Sequence, residues 1–379
     1  MKLDLTPATL ESGMRSFAAA APGDTDKLGL LSRLPGKWIN EKRDIVTGFE
    51  GRGWNMIALP FKGGIVDGVQ QPDYRVLANQ YNETLDFVIV DGPVANRGVE
   101  KDGSRPATAQ TDQKIFALDY QQLIVQIAAG DSPCTTENIR GRPGSGIHHE
   151  PGFLLWISDQ NASIDYTPVD GGPVMREEKL KVARLASIPH GDAVTAMGVA
   201  FCAAGGPAIP KISGLPVHLQ AAPGQPDPAL TGYLAPYAGL SGPDAFKGIL
   251  QVPTFDVSKP WELLEKSIAS LGPVKHTTTL HFRTDFGTGG IVNTPFIVKE
   301  ANATEMEAIF WIMELEKPLN GRKWVLAYIQ NVLLDFFPLP GSPDRQIRWP
   351  HVSINVMCLD EAADREKIAT PACSHASAD

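Results

Sequence analysis

Residues 347–357 read "IRWPHVSINVM". Val352, Ile354 and Val356 recur at period two, and Trp349, His351, Ser353 and Asn355 take the positions between them. Side chains alternate across a strand, so the stretch is expected to be a β-strand with one apolar face. The other face carries a tryptophan, a histidine and two small polar groups. If that face meets water, the histidine is a solvated residue. If it meets an enclosed cavity, His351 is the one strong ligand or titrating group of its segment.

The rest of the chain is punctuated in the same way. Glycine and proline recur between short runs rich in Val, Ile, Phe, Tyr and Trp, such as "ETLDFVIVDG", "KIFALDYQQLIVQIA", "GFLLWISD", "EAIFWIMELE" and "KWVLAYIQNVLLDFF", which is strand chemistry bounded by turn chemistry. Helical signals are confined to an N-terminal arm and to "DVSKPWELLEKSIASLG". There Ser258 is placed to cap, Pro260 to open the first turn and Gly272 to stop the helix. The expected fold is mainly β and antiparallel. Its divisions are an N-terminal helical arm (1–35), a first block of strands (36–202), a segment dense in Pro and Gly (203–273), a second block of strands (274–358) and a C-terminal tail (359–379). The Pro/Gly-rich segment carries Tyr233, Leu234 and Tyr237, apolar content that a free linker does not need, so it is expected to pack on the strands as a lid.

Composition narrows the partners. The chain has 379 residues, 34 Lys and Arg against 43 Asp and Glu, and a formal net charge of -9. Phosphate backbones are bound by clustered cations, which this sequence lacks, so a nucleic-acid partner is not expected. No stretch is long and apolar enough to span a bilayer, and the start of the chain has no signal-like apolar core; a soluble, cytoplasmic protein without a membrane partner is expected. Cys134, Cys202, Cys358 and Cys373 lie far apart without a C-x-x-C pair. That suggests neither a zinc clip nor a dense disulfide framework, and fits a reducing compartment.

Two blocks echo each other. Leu118-Asp-Tyr120-Gln-Gln122 and Leu326-Ala-Tyr328-Ile-Gln330 share L-x-Y-x-Q, and each follows a strand that begins with a glutamate (Glu83, Glu307) and carries an aromatic (Phe87, Trp311). A duplicated unit and a chance recurrence in hairpins both account for this.

Taken in order, "GKWINE…GFEGRGW", "YNETLDF", "ALDYQQ", "IHHEPGFLLW", "ASIPHGDAVTAMG", "WVLAYIQNVLLDF" and "WPHVSINVM" resemble the nitrobindin-like, heme-binding branch of the lipocalin and fatty-acid-binding proteins. The resemblance runs from Gly36 to Met357 in scattered blocks and leaves out the Pro/Gly-rich segment. It implies an antiparallel lipocalin-like β-barrel, here enlarged or duplicated, holding heme b and acting on peroxide, peroxynitrite or nitric oxide. The terminal-strand histidine that ligates iron in that family falls on His351, and the H-x-E-x-G block falls on His148, Glu150 and Gly152. The chain departs from the family in its length and in reading H-V-S-I-N-V where H-L-x-A-x-L is usual.

A heme pocket takes one neutral imidazole from a rigid strand, and its distal side handles protons. His351 is the candidate metal ligand. Trp349, Tyr328 and Tyr120 are candidate cofactor contacts, and His148, His149 and Glu150 are candidate catalytic groups. Strand alternation lets only one of His148 and His149 face inward. His190, in "SIPHG", is expected in a turn. Arg97 and Arg348 are candidates for pairing with cofactor carboxylates. Two further readings stand beside heme: a cofactor-free carrier of a hydrophobic small molecule, and a cofactor-free isomerase, cyclase or hydratase using His148 and Glu150 as acid and base. No G-x-G-x-x-G, P-loop, H-E-x-x-H or G-x-S-x-G pattern competes with them.

Overall fold

The computed structural model describes residues 25–40, 49–66, 68–90, 94–99, 112–133, 143–157, 163–169, 171–243, 245–246, 248, 252, 254–287 and 289–360. Most of the N-terminal arm and of the C-terminal tail, together with Cys134 and Cys373, lie outside these residues. Among the described residues strand makes up 61%, against three short helices, which settles the class as mainly β. The principal strands are β1 (Gly36–Ile39), β2 (Gly53–Pro60), β3 (Tyr74–Ile89), β4 (Gln113–Ser132), β5 (Gly146–Ile157) and β6 (Val182–Ile188). They continue with β7 (Asp192–Ala204), β8 (Val274–Arg283), β9 (Asn302–Leu319), β10 (Arg322–Leu339) and β11 (Ser342–Leu359). Each of the five apolar runs quoted above lies wholly or mainly on one of these strands.

The sheet closes on itself. Hydrogen bonding runs β3-β2-β11-β10-β9-β8-β7-β6-β5-β4, and β4 returns to β3, giving a ring of ten antiparallel strands. Closure leaves these strands without an unpaired edge. Strands from before and after the Pro/Gly-rich segment enter the same ring, and β1 bridges β3 and β11 at one end.

Alternation then sorts side chains into two large cores, with a small third cluster around Tyr166, Leu180 and Val199. Inside the ring, Leu85, Phe87, Leu118, Leu154, Phe310 and Leu326 pack at the end that holds β1. Leu28, Leu31 and Leu34, in and just after the 3-10 segment Thr25–Leu31, plug this end, and the Trp38 indole N–H donates to the Leu34 carbonyl at 2.9 Å. Outside the ring, Trp54, Met56, Val352, Ile354 and Val356 meet Leu219, Leu240, Phe255 and Leu264 of the Pro/Gly-rich segment in a second core. That segment therefore packs on the strands, as its apolar content led us to expect, and its buried residues are engaged on the outer wall. Its helix α1 (Pro260–Ala269) forms where the sequence placed it. The cap differs: Lys259 holds the N-cap position with no side-chain bond, and the Ser258 hydroxyl bonds Asp256 Oδ1 at 2.5 Å instead.

The echoed glutamates part company. Glu83 is buried inside the ring, whereas Glu307 lies on the outer side and bonds His281 at 2.8 Å. Among the described residues no helix is long and apolar enough to cross a membrane. Cys358 is a buried thiol whose Sγ donates to the Ile39 carbonyl at 3.5 Å, and Cys202 is disulfide-bonded.

Candidate functional site

The ring interior is polar at mid-height. Glu83 on β3 accepts hydrogen bonds from the Tyr328 hydroxyl (2.7 Å), Gln122 Nε2 (2.6 Å) and Asn355 Nδ2 (2.8 Å), and the Tyr81 and Tyr328 hydroxyls meet at 2.8 Å. Burial pushes the Glu83 carboxyl up and the three neutral donors pull it part of the way back. These residues come from β3, β4, β10 and β11, so the bonds tie one wall to the other. Wall-to-wall bonds hold the interior at a fixed width.

Beside it stands an ion pair. Arg184 Nη2 on β6 donates to Glu150 Oε1 on β5 at 2.6 Å, and both side chains are at most 2% exposed. The Tyr120 hydroxyl donates to the same carboxylate, Arg184 Nε donates to the Tyr120 oxygen at 2.9 Å, and Arg184 Nη1 reaches Gln330 on the far wall at 2.5 Å. Burial pushes Glu150 up, but Arg184, His148 and Tyr120 outweigh it and bring its pKa down to about 2. Such a carboxylate is ionised at neutral pH and is a poor proton acceptor. Gly152 has a spatial reason: a Cβ there would lie 2.7 Å from the Tyr120 ring and 2.2 Å from the Leu185 carbonyl, so the glycine lets the tyrosine cross β5 toward Glu150.

Above this network lies the end of the ring opposite the plug. His148 faces inward, its Nε2 3.2 Å from Glu150 Oε2 and its side chain 19% exposed. His149 faces outward and bonds Gln121 at 3.1 Å, which settles the alternation in favour of His148. His190 is exposed in the β6–β7 turn, as its neighbours Pro189 and Gly191 indicate, yet its ring stacks on His148 with centroids 6.1 Å apart. His351 points inward on β11 and accepts from Asn55 Nδ2 at 2.6 Å. Burial, then the nearby His148 and His190, bring its pKa down to about 4, so it is a neutral imidazole at physiological pH. Inward-facing Ile57, Ile188 and Val332 are only half-buried at this level. These half-buried inward residues mark a partly exposed end of the ring, called the recess below, with an apolar collar and histidines from two strands and a turn.

The structure thus brings together His351, His148, Glu150, Tyr120 and Tyr328 in and below the recess. Trp349 is elsewhere. It packs against Tyr74 (4.5 Å), Phe336 (4.7 Å) and Tyr233 in the outer core, and its indole N–H donates to the Phe336 carbonyl at 2.8 Å. Arg97 pairs with Asp112 at the surface, and Arg348 pairs with Glu305 and Asp335; neither reaches the recess. Arg184, Glu83, Asn55 and Asn79 are the site residues that motif reading passed over. Their signal was a polar residue at an inward position of an otherwise apolar strand, as in "KVARLASI".

Among the described residues no group of three or more His, Cys, Asp or Glu could hold a metal ion. Heme asks the protein for few ligands of its own, and His351 would be able to hold it once Asn55 released the Nε2 lone pair that it occupies at 2.6 Å.

No protein-family model matches the chain. No curated protein matches it. Among solved structures, the crystal structure of Rv2717c from M. tuberculosis is similar to it at 12% identity with a TM-score of 0.32, over 90% of this chain and 99% of that one.

Proposed function

We propose that the recess binds heme b through His351, within a lipocalin-like β-barrel, and that the protein acts on peroxide, peroxynitrite or nitric oxide. The observation that carries this reading is the convergence, at the unplugged end of the ring, of one neutral inward imidazole with an apolar collar and a second, carboxylate-oriented imidazole. Bound heme would supply the iron at which such small oxidants react. The chain's own residues divide the remaining work. Asn55 Nδ2 occupies the His351 Nε2 lone pair in the ligand-free chain and would have to give that nitrogen up to iron, and Ile57, Ile188 and Val332 exclude water. His148 holds or moves a proton at Nε2 or Nδ1. Glu150, ionised by Arg184, fixes the His148 ring.

The same dyad supports a second reading, a cofactor-free acid–base enzyme in which His148 and Glu150 handle the proton. Hemin titration separates the two. The parent is expected to bind stoichiometrically with a Soret band, and His351→Ala to lose at least about tenfold in affinity with an unchanged circular dichroism spectrum, because the protein's bond to iron is gone. A parent that binds no hemin, or a His351→Ala protein that binds it as well as the parent, ends the heme reading in favour of the acid–base one.

A further inference from the structure

The recess has a polar side that the heme reading does not use. Asn55 on β2 and Asn79 on β3 are direct cross-strand partners, and both occupy inward positions, between Gly53 and Ile57 and between Leu77 and Tyr81. The Asn55 amide is held by its own donors, to His351 Nε2 at 2.6 Å and to Ser353 Oγ at 3.3 Å. Its Oδ1 is left buried without a partner, and so is Oδ1 of Asn79, a residue only 8% exposed. A buried carbonyl oxygen without a donor is destabilising, and an apolar residue of similar size would remove the penalty. Asn55 and Asn79 differ from the other asparagines with an unpaired buried Oδ1, Asn82, Asn293 and Asn331, in facing each other across two strands on the inner side of the ring, beside the apolar collar.

We infer that Asn55 and Asn79 form a specificity-determining pair that accepts hydrogen bonds from an N–H or O–H group of a mostly apolar small ligand in the recess. The inference shares the recess with the heme reading but not its iron. An analogue of the same shape without the donor would leave both oxygens unpaired and would be rejected more strongly than its lost area explains. A compact aromatic with one N–H, such as indole, is the simplest member of the class. Benzofuran has nearly the same outline and presents an ether oxygen where indole has its N–H, so it is the matched probe.

The test is calorimetric or ligand-observed NMR titration of the full chain with indole and with benzofuran, for the parent and for Asn79→Leu. The parent is expected to prefer indole by at least about tenfold, and Asn79→Leu to reduce that preference to about twofold or less. Thermal unfolding of the ligand-free proteins accompanies it, with Asn79→Leu expected to be at least as stable as the parent because it removes a buried unpaired oxygen. Equal affinities in the parent would mean that water satisfies the two oxygens, and would overturn the proposal. So would a preference for indole that survives Asn79→Leu, or a parent that binds neither probe. Hemin titration of the same two proteins keeps the ideas apart: absent hemin binding with an intact indole preference sinks the heme reading alone, and hemin binding without that preference sinks this one alone.

Discussion

Arg184 is the residue on which the interior depends most. Replacing it by Met would remove the guanidinium from a carboxylate whose side chain is 1% exposed, and would also take a donor from Tyr120 and from Gln330. Breaking a buried pair from one side costs about 3–5 kcal/mol, because the remaining charge has no solvent to return to. Arg184→Met is therefore expected to lose that much stability in urea denaturation, and Arg184→Met combined with Glu150→Gln to recover a substantial part of it. A loss below about 1 kcal/mol would show that Glu150 is not held as an ion. The residues of the candidate site were unevenly legible in the sequence. His351, His148, Glu150, Tyr120 and Tyr328 could be named because the short motifs they sit in resemble those of a heme-binding family. Trp349 shares the parity of His351 but packs in the outer core against Tyr233 of a segment 116 positions earlier, a contact no local pattern encodes. Arg184 and Asn79 were passed over for a related reason: a lone polar residue in a strand reads as solvent-facing until the far wall, here Gln330, is known.

At the scale of elements, the strands were readable because turn residues and β-branched or aromatic runs agree along most of the chain. The Pro/Gly-rich segment was not, since composition shows that it packs without showing against which face. It covers the outer sides of β2 and β11, so Trp54, Val352, Ile354 and Val356 need it to stay out of water. Each such side chain contributes roughly 1.5–3 kcal/mol when buried. The helix α1 is the most regular part of the brace, with Leu264 1% exposed. Leu264→Ala is expected to cost about 2–5 kcal/mol in chemical denaturation, in the range of a core cavity in the sheet itself. A loss of a few tenths would show that the segment rests on the wall without stabilising it.

For the whole molecule the two ends of the ring are different devices. His351 and Leu359 are separated by eight positions of one strand, roughly 27 Å of rise, and between them lie the wall-to-wall bonds of Glu83, Tyr328, Arg184 and Gln330. A ring tied across its middle should let the plug loosen without changing the recess. Gly29 offers the means to loosen it: its φ is +52°, a backbone that L side chains rarely adopt, and a Cβ there would lie 2.2 Å from the Trp156 ring. Gly29→Ala must therefore displace either the 3-10 segment or the indole, at a cost of about 2–4 kcal/mol from strain and overpacking together. Hydrogen exchange is expected to speed up across residues 25–34 and at the facing ends of β4, β5 and β7, while indole or hemin affinity stays within about twofold of the parent. The alternative outcome is equally readable. If affinity at the histidine end falls along with protection at the plug, the mid-ring bonds do not insulate the two ends, and the ring deforms as one unit when either is disturbed.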